Sequence, residues 1–229
     1  MRINANFSEA VAMHTDTLEW VASPMPGVER RMLDRIGEEV ARATSIVRYA
    51  PGSHFAEHTH DGGEEFIVLE GVFQDEHGDC PAGSYVRNPP GTHHIPASEE
   101  GCTIFVKLWQ FQNGDDVQMV RDLHQIERNM PQTSSGFARV TLFENDHEKV
   151  SLERWSAGYQ SEQTAKGGLE ILVLDGAVCW NGQSYGKHDW LRLPDGFEAE
   201  ISALDQTALL WTKRHHLIDV RAPAIVTEA

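Results

Sequence analysis

The chain has 229 residues, 40% hydrophobic and 24% charged, the balance of an ordinary folded protein with room for one large domain or two of roughly 100–120 residues. Nineteen basic against 35 acidic residues leave a net charge of −16, which repels phosphate backbones and argues against direct nucleic-acid binding. No apolar run reaches the ~18 residues of a membrane span, and the opening MRINANFSEAVAMHTDTLEW has no basic flank followed by an apolar core. A cytoplasmic protein that stays off membranes is therefore expected.

Taken in chain order, the elements are mostly short strands. Val11–Trp20 reads as a short helix. Arg42–Tyr49, Glu65–Leu69 and Cys102–Trp109 are β-branched or aromatic runs of strand length, separated by Pro51-Gly52, Gly62-Gly63, Pro81-Ala82-Gly83 and Pro89-Pro90-Gly91. A second short helix is expected at Met119–Glu127. Evenly spaced short strands indicate a sandwich or barrel. Cys80, Cys102 and Cys179 are far apart and form no CxxC pair, so a thiolate zinc cluster is not expected; they read as buried, inert thiols.

An internal repeat sets the domain count. RYAPG at 48–52 recurs as RWSAG at 154–158, and GGEEFIVLEG at 62–71 as GGLEILVLDG at 167–176. VRNPPG at 86–91 returns as LRLPDG at 191–196, and Val106-Lys107 as Thr212-Lys213, all in the same order at an offset of 105 or 106 residues. The expected organisation is an N-terminal barrel at 1–112, a linker at 113–136 and a C-terminal barrel at 137–229. Alternation places Glu64, Phe66 and Val68 on one strand face and Glu65, Ile67 and Leu69 on the other. Both faces are apolar, as they are again at Ile171/Val173 and Leu172/Leu174. The outer faces are therefore expected to be covered, by the other barrel or in a homodimer.

The chemistry concentrates in Gly52-x5-His58-x-His60-x3-Glu64-x6-Gly71, followed by Gly83-x5-Pro89-x-Gly91-x2-His94. Two residues apart on an extended segment, His58 and His60 point to one side. The Asp61-Gly62-Gly63 turn returns the chain at Glu64, and the Pro89-Pro90-Gly91 turn delivers His94. Three imidazoles and a carboxylate suit a borderline divalent metal. His93 is a rival to His94, but the spacing after Gly91 selects His94. His54 either donates a hydrogen bond to a ligand from behind or is an exposed turn residue. Arg87 and Asn88, with Tyr85, are candidates for the pocket mouth, where Arg87 could hold an anion or form a structural ion pair. His215-His216 reads as a solvated pair.

Both spacings match the two cupin motifs, and EEFIVLEGVFQDEHGDCPAGSYVRNPPGTHH resembles the cupin-like domain of ChrR-type anti-sigma factors from about Trp20 to Lys107, with a weaker likeness in the second half. The resemblance implies two double-stranded β-helix (jelly-roll) barrels in tandem. It implies one divalent metal on His58, His60, Glu64 and His94, zinc as in the regulatory members, with iron(II), manganese or nickel as alternatives. It also implies a part in transcriptional responses to oxidative stress. Those regulators carry an N-terminal zinc-binding helical domain that grips the sigma factor; here the first cysteine is Cys80, which leaves sigma-factor binding doubtful.

In the second copy the motif positions hold Gln163 or Thr164, Ala165, Leu169 and Ala199, so its metal site is lost. The residues leave three functions open. One is a sensing or regulatory module with a small-molecule ligand in the N-terminal barrel. Another is an Fe(II) dioxygenase acting on a small diketone or phenol. The third is a sugar or organic-acid isomerase.

Overall fold

The computed structural model describes residues 1–223. The chain is all-β and falls into two compact units. The first comprises Met1–Ala5, Glu19–Leu123 and Arg221–Pro223; the second comprises Asn6–Leu18 and His124–Val220.

In the first unit a broad antiparallel sheet runs in the order Arg2–Ile3, Val28–Gly37, Ala41–Tyr49, Cys102–Leu108, Glu64–Asp75, Ser84–Asn88, Met119–Asp122. Short strands complete the jelly roll: Ser53–His54 pairs with Ala97–Ser98, and His58–Thr59 with His93–His94. The second unit repeats the plan. Phe137–Glu144, Lys149–Trp155, Ala208–Arg214, Leu169–Asp175 and Trp190–Leu193 form one sheet; Gln160–Thr164, Glu198–Ala203, Val178–Trp180 and Gln183–Tyr185 form the other.

The repeat extends to register. Glu64 pairs with Asn88 and Leu108 as Leu169 pairs with Leu193 and Arg214. Each central strand also carries one extra residue. Val68 and Glu70 oppose Ile104 and Thr103, skipping Leu69; Val173 and Asp175 oppose Leu210 and Leu209, skipping Leu174. This β-bulge reverses which face each later residue occupies. Before it, Phe66 and Val68 enter the interior cluster with Val86, Ile104 and Val106. The opposite face is buried too, at Ile67, Tyr85 and Phe105 in one unit and Leu172, Trp190 and Trp211 in the other. Leu69 and Leu174 differ from the expectation: as bulge residues they are only half-buried.

That opposite face also carries buried charge. Tyr85 donates to Glu65 at 2.6 Å, and Lys107 Nζ donates to Thr44 at 3.0 Å. In the second unit Trp190 donates to Glu170 at 2.7 Å, and Lys213 pairs with Glu148 at 2.8 Å. Charges taken out of water need such partners.

Both helix expectations need correction. Val11–Met13 is a strand pairing with Trp190, Leu191 and Arg192, followed by a 3-10 turn at Thr15–Thr17. Met119–Asp122 is a strand pairing with Ser84–Arg87, and a helix begins only at Leu123–Arg128, where the Leu123 amide donates to Gly83 O. Each strand is an edge addition to an existing sheet, whose backbone hydrogen bonds outweigh weak helical propensity. The stretch 113–136, expected as a linker, thus holds a strand and a helix, while residues 6–18 pack with the second unit.

Leu172→Asp, at a fully buried position, should cost about 3 kcal/mol or more in urea melts. Leu69→Asp at the half-buried bulge should cost under ~1 kcal/mol. Equal losses would show that the bulge does not open Leu69 to solvent.

Candidate metal centre

His58 lies opposite His94, and Thr59 opposite His93, on one antiparallel pair. The ladder continues through the His60 amide, which donates to Thr92 O at 2.8 Å, and the Gly91 amide, which donates to His60 O at 3.0 Å. Side chains two apart on a strand share a face, so His58, His60 and His94 converge.

The chain then turns at Asp61-Gly62-Gly63 to reach Glu64, and this turn is clipped. The Trp109 amide donates to Gly63 O at 3.1 Å and the Phe111 amide to Gly62 O at 3.5 Å. A Cβ at Gly62 would overlap the Trp109 indole, and one at Gly63, whose φ is +76°, the Phe111 ring. The second unit builds the same clip: His215 donates to Gly168 O, Leu217 to Gly167 O, and the His215 backbone and the Leu217 side chain press on the same glycines. Trp109 (φ 59°) and His215 (φ 69°) share a left-handed backbone. The glycine pair repeated in the sequence is there because another strand end crosses it.

The ligand-type atoms of His58, His60 and His94 all lie within 4.8 Å of one another, the one such group of three among the described residues. His60 Nε2 and His94 Nε2 are 3.2 Å apart. The ring planes meet at 81–82°, with centroids 4.5–5.1 Å apart. Glu64 Oε2 stands 3.4 Å from His60 Nε2 and 3.8 Å from His94 Nε2. Asn88 Nδ2 donates to that oxygen at 3.4 Å, and Gln118 donates to Asn88 Oδ1 at 3.3 Å. His60, His94 and Glu64 are buried, whereas His58 is exposed.

Hydrogen bonds settle which nitrogen faces inward. Thr92 Oγ1 donates to Pro89 O at 2.7 Å, so towards His60 Nδ1, 3.1 Å away, it can only accept. His60 thus carries its proton on Nδ1 and directs the Nε2 lone pair at His94. His94 Nδ1 faces Asp75 Oδ2 at 3.4 Å, an ion-pair distance. The two Nε2 atoms, 3.2 Å apart, are close enough to share a proton or a bound cation, so the histidines fit a bound metal. Burial, with His94 and His58, holds His60 below the usual imidazole value despite Glu64. Burial also depresses His94, but Asp75 and Glu64 outweigh it and the net direction is upward.

Neighbouring candidates lie elsewhere. His93 points outward to Glu57 at 3.5 Å, and His54 to Glu99 at 3.0 Å, both exposed. Tyr85 and Arg87 are fully buried on the opposite sheet face. The Arg87 guanidinium lies 2.5 Å from Asp115 and 4.4 Å over the Phe111 ring, bracing the clip rather than the pocket mouth. Asn88, one residue on, does reach the site. His215-His216 is not a solvated pair: His215 closes the second clip and buried His216 meets Glu170 at 3.0 Å. Cys102 is buried and its thiol pushed up to about 11 by burial, whereas Cys80 and Cys179 are half-buried.

Register also identifies the lost ligands. Gln163 opposes Ala199 as His58 opposes His94, so Gln163 and not Thr164 is the counterpart of His58. Ala165, Leu169 and Ala199 belong to the apolar core of the second barrel.

Residues 8–112 match the family described as the ChrR Cupin-like domain. The matched stretch contains all four residues of the candidate metal centre, His58, His60, Glu64 and His94. No curated protein matches the chain in sequence. Among solved structures it is similar to a putative dioxygenase of Nostoc punctiforme, at 16% identity and TM-score 0.72, covering 96% of this chain and 88% of that one. It is similar to the salicylate 1,2-dioxygenase of Pseudaminobacter salicylatoxidans, at 13% identity and TM-score 0.67, covering 93% and 86%. It is also similar to the Escherichia coli pirin YhhW in complex with nickel(II), at 19% identity and TM-score 0.61, covering 90% and 99%. At these identities the likeness establishes the cupin fold.

His94→Ala should weaken metal binding by more than the ~100-fold typical of losing a supporting partner, while His93→Ala leaves it near wild type. Titration with a chelator-buffered metal reads both, and the reverse outcome would place the ligand at His93. Gly63→Ala should cost about 2 kcal/mol through strain and overlap with Phe111 and weaken metal binding as well. A variant with unaltered metal affinity would separate the clip from the site.

Proposed function

We propose that the N-terminal barrel holds one divalent metal on His58, His60 and His94, with Glu64 as a fourth donor, and uses it as an Fe(II)-dependent oxygenase of a small diketone or phenol. The observation that carries this reading is the approach of three near-perpendicular imidazoles with His58 open to solvent. Four protein donors fill a tetrahedral zinc site but leave two positions for substrate on an octahedral ion, and the exposure of His58 leaves that side of the site open.

The bound metal would supply redox and Lewis-acid chemistry. The protein's own part is to hold and exclude. His60 and His94 grip from the buried wall, and Phe66, Val68 and Phe73 line an apolar interior that keeps water out. Glu64, steadied by Asn88, is placed to accept a proton from an acidic enol or phenol. Arg87 is committed to Asp115 and Phe111, so the reading does not assign it to an anionic substrate.

A second reading is favoured by the family match of residues 8–112: a sensing barrel, zinc-loaded, in oxidative-stress regulation. Metal analysis of protein purified anaerobically without supplements, followed by oxygen uptake of the iron-loaded form over a panel of diketones and phenols, separates the two. Iron with substrate-dependent uptake is expected. Stoichiometric zinc that resists exchange, with no uptake over the panel, would overturn the oxygenase in favour of the sensor.

A further inference from the structure

The bulge at Leu69 has a chemical consequence at the far end of its strand. Glu64, Phe66 and Val68 face the interior, and unbroken alternation would turn Asp75 outward. The extra residue reverses the parity, so Phe73 joins the interior cluster and Asp75 faces His94. The Asp75 carboxylate is anchored at one oxygen and faces His94 with the other. Its Oδ1 accepts from the His77 amide at 2.8 Å, and its Oδ2 stands 3.4 Å from His94 Nδ1. The Phe73 ring packs 5.6 Å from the His94 ring.

The second barrel is an internal control. At the offset of 105 residues, Asp75 corresponds to Trp180 and Thr92 to Phe197. The strand pairings confirm the match: Asp75 opposes Gly78 as Trp180 opposes Gln183. Trp180 and Phe197 pack edge to face, with centroids 6.2 Å apart, against the apolar core that also takes in Ala165, Leu169 and Ala199. The barrel without ligand histidines thus also lacks both polar groups that stand behind them. If Asp75 and Thr92 served only the fold, the second copy, which keeps the fold, would have no reason to differ at both positions.

We propose that Asp75 is a positioning residue of the metal centre: its carboxylate accepts the Nδ1 proton of His94, locks the ring with Nε2 toward the metal, and makes His94 the strongest donor of the three. The partners behind the other two rings are weaker acceptors. His60 has the Thr92 hydroxyl at 3.1 Å, and exposed His58 has only the Ala56 carbonyl at 3.4 Å. A carboxylate behind an imidazole raises the ligand's basicity and fixes its tautomer. The inference rests on the metal-centre reading above.

The test titrates metal-free protein with Co(II), following visible absorption and chelator competition. Asp75→Asn should weaken Co(II) binding by roughly 10–100-fold and shift the ligand-field bands, with partial recovery in Asp75→Glu. Asp79→Asn, on the next strand, should match wild type. Metal-free wild type and Asp75→Asn should melt together, since a purely structural role would lower the melting point instead. Independently of any variant, long-range proton–nitrogen spectra of the wild-type Zn(II) form should show His94 protonated on Nδ1 and bound through Nε2. Unchanged Co(II) affinity and spectrum in Asp75→Asn, or His94 bound through Nδ1, overturns the inference alone. A wild-type protein that takes up no Co(II) overturns the metal-centre reading and this inference with it.

Discussion

Two buried imidazole nitrogens, His60 Nε2 and His94 Nε2, face each other at 3.2 Å, and the rest of the N-terminal barrel is organised around that contact. Each ring has a polar partner behind it, His60 the Thr92 hydroxyl at 3.1 Å and His94 the Asp75 carboxylate at 3.4 Å. A buried polar group left without a partner costs about 1–3 kcal/mol. The arrangement is stable only if something positive, a metal or a shared proton, occupies the gap. The clip of Trp109 and Phe111 on Gly62-Gly63 and the bulge at Leu69 are the backbone devices that bring the remaining groups to the same point.

The second barrel shows what the same backbone does when that requirement is removed. It retains the clip, the bulge, the left-handed residue after its last long strand and the pairing of Gln163 with Ala199. These are fold features, and they persist without ligands. The interior changes from imidazole and carboxylate to Ala165, Leu169, Trp180, Phe197 and Ala199, an apolar set in which no lone pair needs neutralising. Fold and site are therefore separable in this chain: the shared glycines serve the backbone, and the histidines belong to the candidate metal centre of the first barrel alone.

Legibility followed the same division. The motif spacing placed His58, His60 and His94 together because strand parity over two residues, and a hairpin closed by Pro89-Pro90-Gly91, are local rules. The repeat blocks revealed two barrels because each block carries its own turn residues. Parity failed beyond Leu69, so Asp75 could not be read as inward, and Leu69 and Leu174 were placed on a face they only partly occupy. Thr92 was passed over since a threonine beside a turn has many uses. Arg87 looked like a pocket residue because, like Asn88, it precedes the Pro89-Pro90-Gly91 turn, but adjacent strand residues point to opposite faces. The segments at 11–13 and 119–122 were misread as helix because an edge strand takes its stability from the sheet it joins.

By itself the sequence determined a duplicated all-β chain with one set of metal-type ligands and a second set erased, since these depend on residue identity and short spacing. Only the tertiary structure decided which way each imidazole presents its lone pair, which residue stands behind it, and that Gln163 is the partner of the vacated position. Those depend on bulges and long-range pairings, where a shift of one residue exchanges the two faces of a strand.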